Sequence, residues 1–85
     1  MQSFTYVIRD KEGVHARPAG IIVEEAKKFN SKITVVSKGR SADLKRIFAI
    51  MGLCIKFGEE ITVNIEGPDE VDALEKLKTV FASNI

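Results

Sequence analysis

The chain has 85 residues and a formal net charge of +1, with 13 Lys and Arg against 12 Asp and Glu. That balance excludes the basic sheath expected of a nucleic-acid or anionic-membrane binder. The single cysteine, Cys54, excludes an internal disulfide and suits a reducing compartment. The longest apolar run, Ile47 to Ile55 broken at Gly52, is far short of the ~20 residues that a membrane span needs. The opening stretch, MQSFTYVIRD, has no charged segment leading into an apolar core, so no signal peptide is expected. The expectation is one soluble cytoplasmic domain over residues 1–85, small enough to bury only about 60% of its unfolded surface.

Residues 2 to 8, QSFTYVI, alternate, with Phe4, Tyr6 and Ile8 on one side, and read as a strand. Asp10 to Gly13 is turn chemistry. From Ala16 the period changes. Ala19, Ile22, Val23, Ala26 and Phe29 recur at three and four, which predicts a helix with one apolar face. Glu24 and Lys28 are spaced as a favourable pair on its other face. Pro18 fits only the first turn of that helix, so the helix starts near Ala16 and His15 lies at or beside its N-cap. Asn30-Ser31 breaks the helix. KITVVS at 32–37 reads as a strand, Lys38-Gly39 as a tight turn, and Arg40 to Leu44 as the returning strand. IFAIMGL at 47–53 predicts a short apolar helix, although its periodicity alone also allows a buried strand. EITVNIE at 60–66 alternates as a strand. Gly67-Pro68-Asp69 then opens a last helix, with Asp69 as N-cap and Val71, Leu74, Leu77, Val80 and Phe81 as its apolar stripe. Every helix must bury one stripe and every strand has one apolar side. The fold class is therefore α+β: an antiparallel sheet with helices packed on one face.

The chain's only histidine, His15, stands at a helix start in the stretch KEGVHARPAG. The first turn of a helix leaves backbone N–H groups without partners and carries a partial positive charge, so an anion arriving there meets donors already aimed at it. A neutral imidazole is a nucleophile able to carry a covalent intermediate. The guanidinium fork of Arg17 suits a phosphoryl group. A nucleophile, a cation and the amides of Ala16 and Arg17 within one turn make a phosphoryl cradle. A lone histidine in such a place is more often a surface or capping residue; the arginine two positions on and the proline argue for chemistry.

The stretch GVHARPAG resembles the active-site signature of the HPr family, the histidine-containing phosphocarriers of the bacterial sugar phosphotransferase system. The resemblance extends over the whole chain: its length, its order of elements, ADLKRIFAIMGL after the second hairpin, and GPDEVDALEKL at the final strand-to-helix junction. It implies an open-faced β-sandwich of four antiparallel strands and three helices. It implies that His15 takes a phosphoryl group on Nδ1 from phosphorylated enzyme I and passes it to the EIIA domains of sugar permeases. Arg17 would stabilise the group in transfer, and no metal or organic cofactor is expected. The carried-over docking surface comprises Ala16, Arg17, Gly20, Ile47, Phe48 and Met51, with Lys27 on its rim. Phe48 would then be more exposed than its type suggests, while Ile50 and Leu53 of the same run serve the core. A carrier that docks alternately to different partners is expected to be a monomer.

Two positions depart from the family pattern. Many members carry a kinase-regulated serine where this chain has Arg46, so that regulatory switch is not expected. A cation also suits the positive end of a helix badly, and Asp43 is near enough in sequence to offset it. Cys54 replaces a common glycine and reads as a small buried hydrophobe. Two other function classes compete with this reading. One is an HPr-like regulatory module that acts mainly by docking to other proteins, with phosphorylation as a signal; the presence of both His15 and Arg17 favours the carrier. A ferredoxin-like nucleic-acid binder would need exposed sheet aromatics and a basic face, which Phe4, Tyr6 and the net charge do not supply.

Overall fold

The computed structural model describes residues 1–85. Its elements in chain order are β1 (Gln2–Val7), α1 (Ala16–Ala26), β2 (Lys32–Ser37), β3 (Arg40–Asp43), α2 (Ile47–Met51), β4 (Glu60–Glu66) and α3 (Glu70–Asn84). The strands form one antiparallel sheet in the order β1-β4-β2-β3. Register follows from the alternation. Phe4 lies opposite Val63, Val63 opposite Val35, and Val35 opposite Ala42. This row crosses the whole sheet, and all four side chains are buried. A slip of one residue in any strand would turn its apolar set to water, so the core itself fixes the pairing. The opposite face carries Thr5, Thr34, Thr62 and Asn64 and has no helix on it.

The β2–β3 hairpin turns through Lys38 and Gly39, both with positive φ (52° and 78°) and flanked by the pair Ser37↔Arg40. Two central residues in the left-handed region are the mirror-image turn whose twist matches that of paired strands.

All three helices cover one sheet face and join it in a single apolar cluster. From α1 come Ile22, Val23 and Ala26, from α2 Ile50, and from α3 Ala73, Leu77, Val80 and Phe81. Phe81 meets Phe4 and Tyr6 edge-on, at centroid distances of 5.6 and 5.7 Å. Leu77 and Phe81 are each almost fully buried, and side chains of this kind stabilise a fold by roughly 1.5–3 kcal/mol apiece.

Four expectations need correction. In α3 the buried stripe is Ala73, Leu77, Val80 and Phe81, with Leu74 half-buried. Val71 is exposed, because it lies in the first turn on the side away from the sheet. The pair Glu24–Lys28 does not form. The helix ends at Ala26 and tightens there, so contacts three apart replace it: Lys27–Glu24 at 3.5 Å and Lys28–Glu25 at 3.1 Å. Asp69 occupies the N-cap position of α3 but does not cap it with its side chain. Its carboxylate instead accepts from the Asn30 amide (2.8 Å) and the Ser31 hydroxyl (2.5 Å), tying α3 to the loop after α1. Cys54 is exposed, not buried, and has φ +52°, in the left-handed region. That conformation accounts physically for a glycine being at home there.

Candidate functional site

The site is a loop pinned at several points. Beyond β1 the amides of Arg9 and Asp10 both donate to the Ile85 carbonyl, at 2.7 and 3.0 Å. The chain then turns, with Gly13 N–H donating to the Asp10 carbonyl at 2.9 Å. Gly13 has φ +71°, and a Cβ there would lie 2.5 Å from the Ile55 carbonyl oxygen, so the position requires glycine. Val14 N–H donates to that same carbonyl at 3.0 Å. The loop thus delivers His15 to α1 at a fixed point and angle.

His15 is the N-cap residue of α1, in extended conformation, as expected. Its carbonyl accepts the first helical bond, from Ala19 N–H at 3.0 Å. Its imidazole makes no capping bond, and no acidic residue stands in the first turn. Helix geometry leaves the amides of Ala16 and Arg17 without intrahelical acceptors. Pro18, the third helical residue, has no N–H and is buried. Arg17 is exposed beside the open end, and the His15 side chain is 28% exposed.

Asp10, a turn residue by its place in the sequence, also faces His15. Asp10 Oδ2 lies 3.3 Å from His15 Nε2, and Asp10 Oδ1 accepts from the Glu12 amide at 2.9 Å. The Glu12 amide above all, then the hydrogen bond with His15, holds the Asp10 carboxyl below its usual range. The signal in the sequence was an aspartate five residues ahead of the histidine, across a turn. Donor atoms of Asp10, Glu12 and His15 lie within 4.8 Å of one another, but the turn amide and the imidazole already occupy the Asp10 carboxylate.

The apolar surface beside the site comes from α1 and α2. Gly20 faces α2: a Cβ there would lie 3.8 Å from Ile47 Cδ1. Phe48 is 87% exposed, while Ile47 and Met51 are half-buried and Ile50 of the same helix is buried. Leu53 packs partly against the core. Ala16 is exposed near the His15 end of this surface, and Lys27 is exposed at the far end of α1. Ile21, one turn beyond Arg17, is 41% exposed and was not singled out in the sequence. Its exposure could have been read from its place on the Arg17–Gly20–Glu24 side of the helix. Arg46 is the N-cap residue of α2, also without a capping bond. Its Nε is 3.9 Å from Asp43 Oδ2, the compensating contact expected from the sequence.

The family model described as "PTS HPr component phosphorylation site" matches residues 2–83. The chain belongs to the HPr family. It is similar to the phosphocarrier protein HPr of Mycoplasma pneumoniae, 43% identical over 82 residues that cover 95% of this chain and 93% of that one. The HPr of Mycoplasma capricolum is 41% identical over 78 residues, 92% and 88% of the two chains. Among solved structures, a mycoplasma histidine-containing phosphocarrier protein superimposes with a TM-score of 0.94 at 38% identity, covering 96% of this chain and 93% of that one. An HPr from Thermoanaerobacter tengcongensis gives 0.93 at 36% identity, covering 99% and 94%. The four-stranded sheet with three helices is thus the HPr fold, and the chain is a phosphocarrier of the phosphotransferase system. Family membership implies partners within that system. No helix is long and apolar enough to cross a membrane.

Proposed function

We propose that His15 is the phosphoryl acceptor of this phosphocarrier, taking the group on Nδ1 from phosphorylated enzyme I and handing it to the EIIA domains of sugar permeases. The observation that carries this reading is the start of α1. An imidazole replaces the usual capping side chain there, the first turn holds no acid of its own, and Arg17 stands beside the unpaired amides. The amides of Ala16 and Arg17 and the Arg17 guanidinium oppose the negative charge of a phosphoryl group in flight. Catalysis then consists of positioning and charge stabilisation, with no cofactor on the carrier.

Docking uses the surface of Ala16, Arg17, Gly20, Ile47, Phe48 and Met51, with Ile21 added and Lys27 on the rim. An apolar patch of this kind next to a reactive group is the mark of a protein-binding face. Both partners must use it in turn, so it must stay uncovered, and a cytoplasmic monomer is the form that leaves it free. A dimer is described for the HPr of Thermoanaerobacter tengcongensis, similar to this chain at a TM-score of 0.77; sedimentation of this protein would separate the two states. With Arg46 at the serine position, the kinase switch of other members has no acceptor here.

The test is intact-mass analysis after incubation with enzyme I, magnesium and phosphoenolpyruvate, beside His15→Ala. One acid-labile phosphoryl adduct is expected on the native protein and none on the variant. No adduct on a folded native protein, with an enzyme I that charges another HPr, overturns the assignment.

A further inference from the structure

We propose that Asp10 is a positioning residue for His15: its carboxylate holds the imidazole proton on Nε2 and so keeps the Nδ1 lone pair free for phosphorus. The proposal rests on the reading of His15 as phosphoryl acceptor and names what prepares that ring.

A neutral imidazole has one donor nitrogen and one acceptor nitrogen, and the partner of one decides the state of the other. An ionised carboxylate only accepts. Asp10 is fixed as such a partner. Its backbone N–H is bound to the Ile85 carbonyl, its carbonyl to the Gly13 amide, and its Oδ1 to the Glu12 amide. Oδ2 is left to face Nε2 at 3.3 Å. Nε2 must then be the donor, which leaves Nδ1 with its lone pair. The two side chains are about equally shielded, 28% and 25% exposed, so water competes only in part.

During acceptance, the Nδ1 lone pair forms the bond to phosphorus. The bond between phosphorus and the donor breaks, and its electron pair leaves with the donor. Nε2 keeps its proton throughout. The ring gains positive charge as the bond forms, and the Asp10 carboxylate opposes that charge from the far nitrogen. A contact of 3.3 Å is long for a charge-assisted bond and shortens as the ring becomes cationic.

The two oxygens of Asp10 have different partners, and this separates a positioning role from a merely structural one. In Asp10→Asn the single side-chain oxygen stays on the Glu12 amide, so the turn survives, but the amide NH2 now faces Nε2. Nε2 must then accept, and the proton moves to Nδ1. Asp10→Ala removes the partner and lets the ring choose freely. The experiment reads the 15N resonances of His15 in alkaline buffer and the rate of phosphoryl acceptance from enzyme I. The native ring is expected as the Nε2–H tautomer, with Ala mixed and Asn shifted toward Nδ1–H. Acceptance is expected to fall on the order of tenfold for Ala and roughly a hundredfold for Asn, the scale seen when a histidine loses or reverses its orienting partner. A structural role predicts the opposite order, with Asn near native. Either that order, or a tautomer unchanged in both variants, overturns the proposal. Should the native protein form no adduct, the assignment of His15 fails, and the resonances alone decide for or against Asp10.

Discussion

Helices α1 and α3 begin in opposite ways. At α3 the chain supplies its own anions. Asp69 stands at the cap position, Glu70 and Asp72 follow in the first turn, and Glu70 Oε1 accepts from the Gly67 amide at 3.1 Å. The carboxylates of Asp69 and Glu70 are engaged, and the pKa of each is lowered, chiefly by the Ser31 hydroxyl and the Gly67 amide respectively. At α1 there is no acid, no capping side chain, and an arginine at the second position. The same backbone electrostatics are met by the chain's own acids in one place and not in the other. A helix start without acids in its first turn forgoes stability, and here that loss falls beside the one histidine.

The sharpest way to break this contrast is to make α1 begin like α3. Ala16→Asp puts an anion at the proposed phosphoryl site. Phosphoryl acceptance is expected to drop about a hundredfold, the scale of losing preorganised charge stabilisation. The thermal midpoint is expected to hold or rise, because an acid in a first turn favours a helix by about 0.3–1 kcal/mol. Rate and midpoint falling together would mean that the start of α1 is structural after all.

The reverse change comes next. Asp69→Ala removes the carboxylate that joins α3 to Asn30 and Ser31, and is expected to lower the urea midpoint clearly at neutral pH while leaving phosphoryl acceptance unchanged. The pH dependence follows from the direction of the shift. The folded pKa of Asp69 lies below 3.8, so its contribution is fully present above that value and is lost as pH falls through the folded one. The gap in midpoint between native and variant is therefore expected to narrow in acid. A gap that stays constant down to that range would show that the carboxylate charge is not what matters.

The smallest effect concerns α2, which starts at Arg46 without a cap. Arg46→Ser offers a hydroxyl to the free amides and is expected to raise stability by about 0.5–1 kcal/mol in urea unfolding, within the range of capping substitutions. No gain would mean that the start of this short helix is already satisfied in another way.

Local chemistry made much of the fold legible. Pro18 located the start of α1, Lys38-Gly39 located the hairpin, and the alternation of β1, β2 and β4 gave the covered face of the sheet. What stayed hidden depends on distant partners. Val71 fits an apolar stripe by spacing, yet only the direction in which α3 leaves Asp69 decides that Ala73 faces the sheet. Asp69 is a good capping residue in isolation, but Asn30 and Ser31 compete for it from across the chain. Cys54 reads as a small hydrophobe because its left-handed backbone is set by the turn after α2, which composition does not encode. In the candidate site, the placement of His15 and Arg17 at the start of α1 was legible from Pro18. Asp10 was not, since an aspartate before a glycine turn has an ordinary explanation, and only the turn's geometry returns it to the imidazole.

The sheet order has a consequence for a chain still being made. Strand β4, residues 60–66, lies between β1 and β2 and pairs with both. Until it leaves the ribosome, the strand at residues 2–7 has no neighbour and the β2–β3 hairpin has one bare edge. The carbonyl that binds the Arg9 and Asp10 amides belongs to Ile85. His15 is thus translated early, while the Ile55 and Ile85 backbone oxygens that hold its loop follow late.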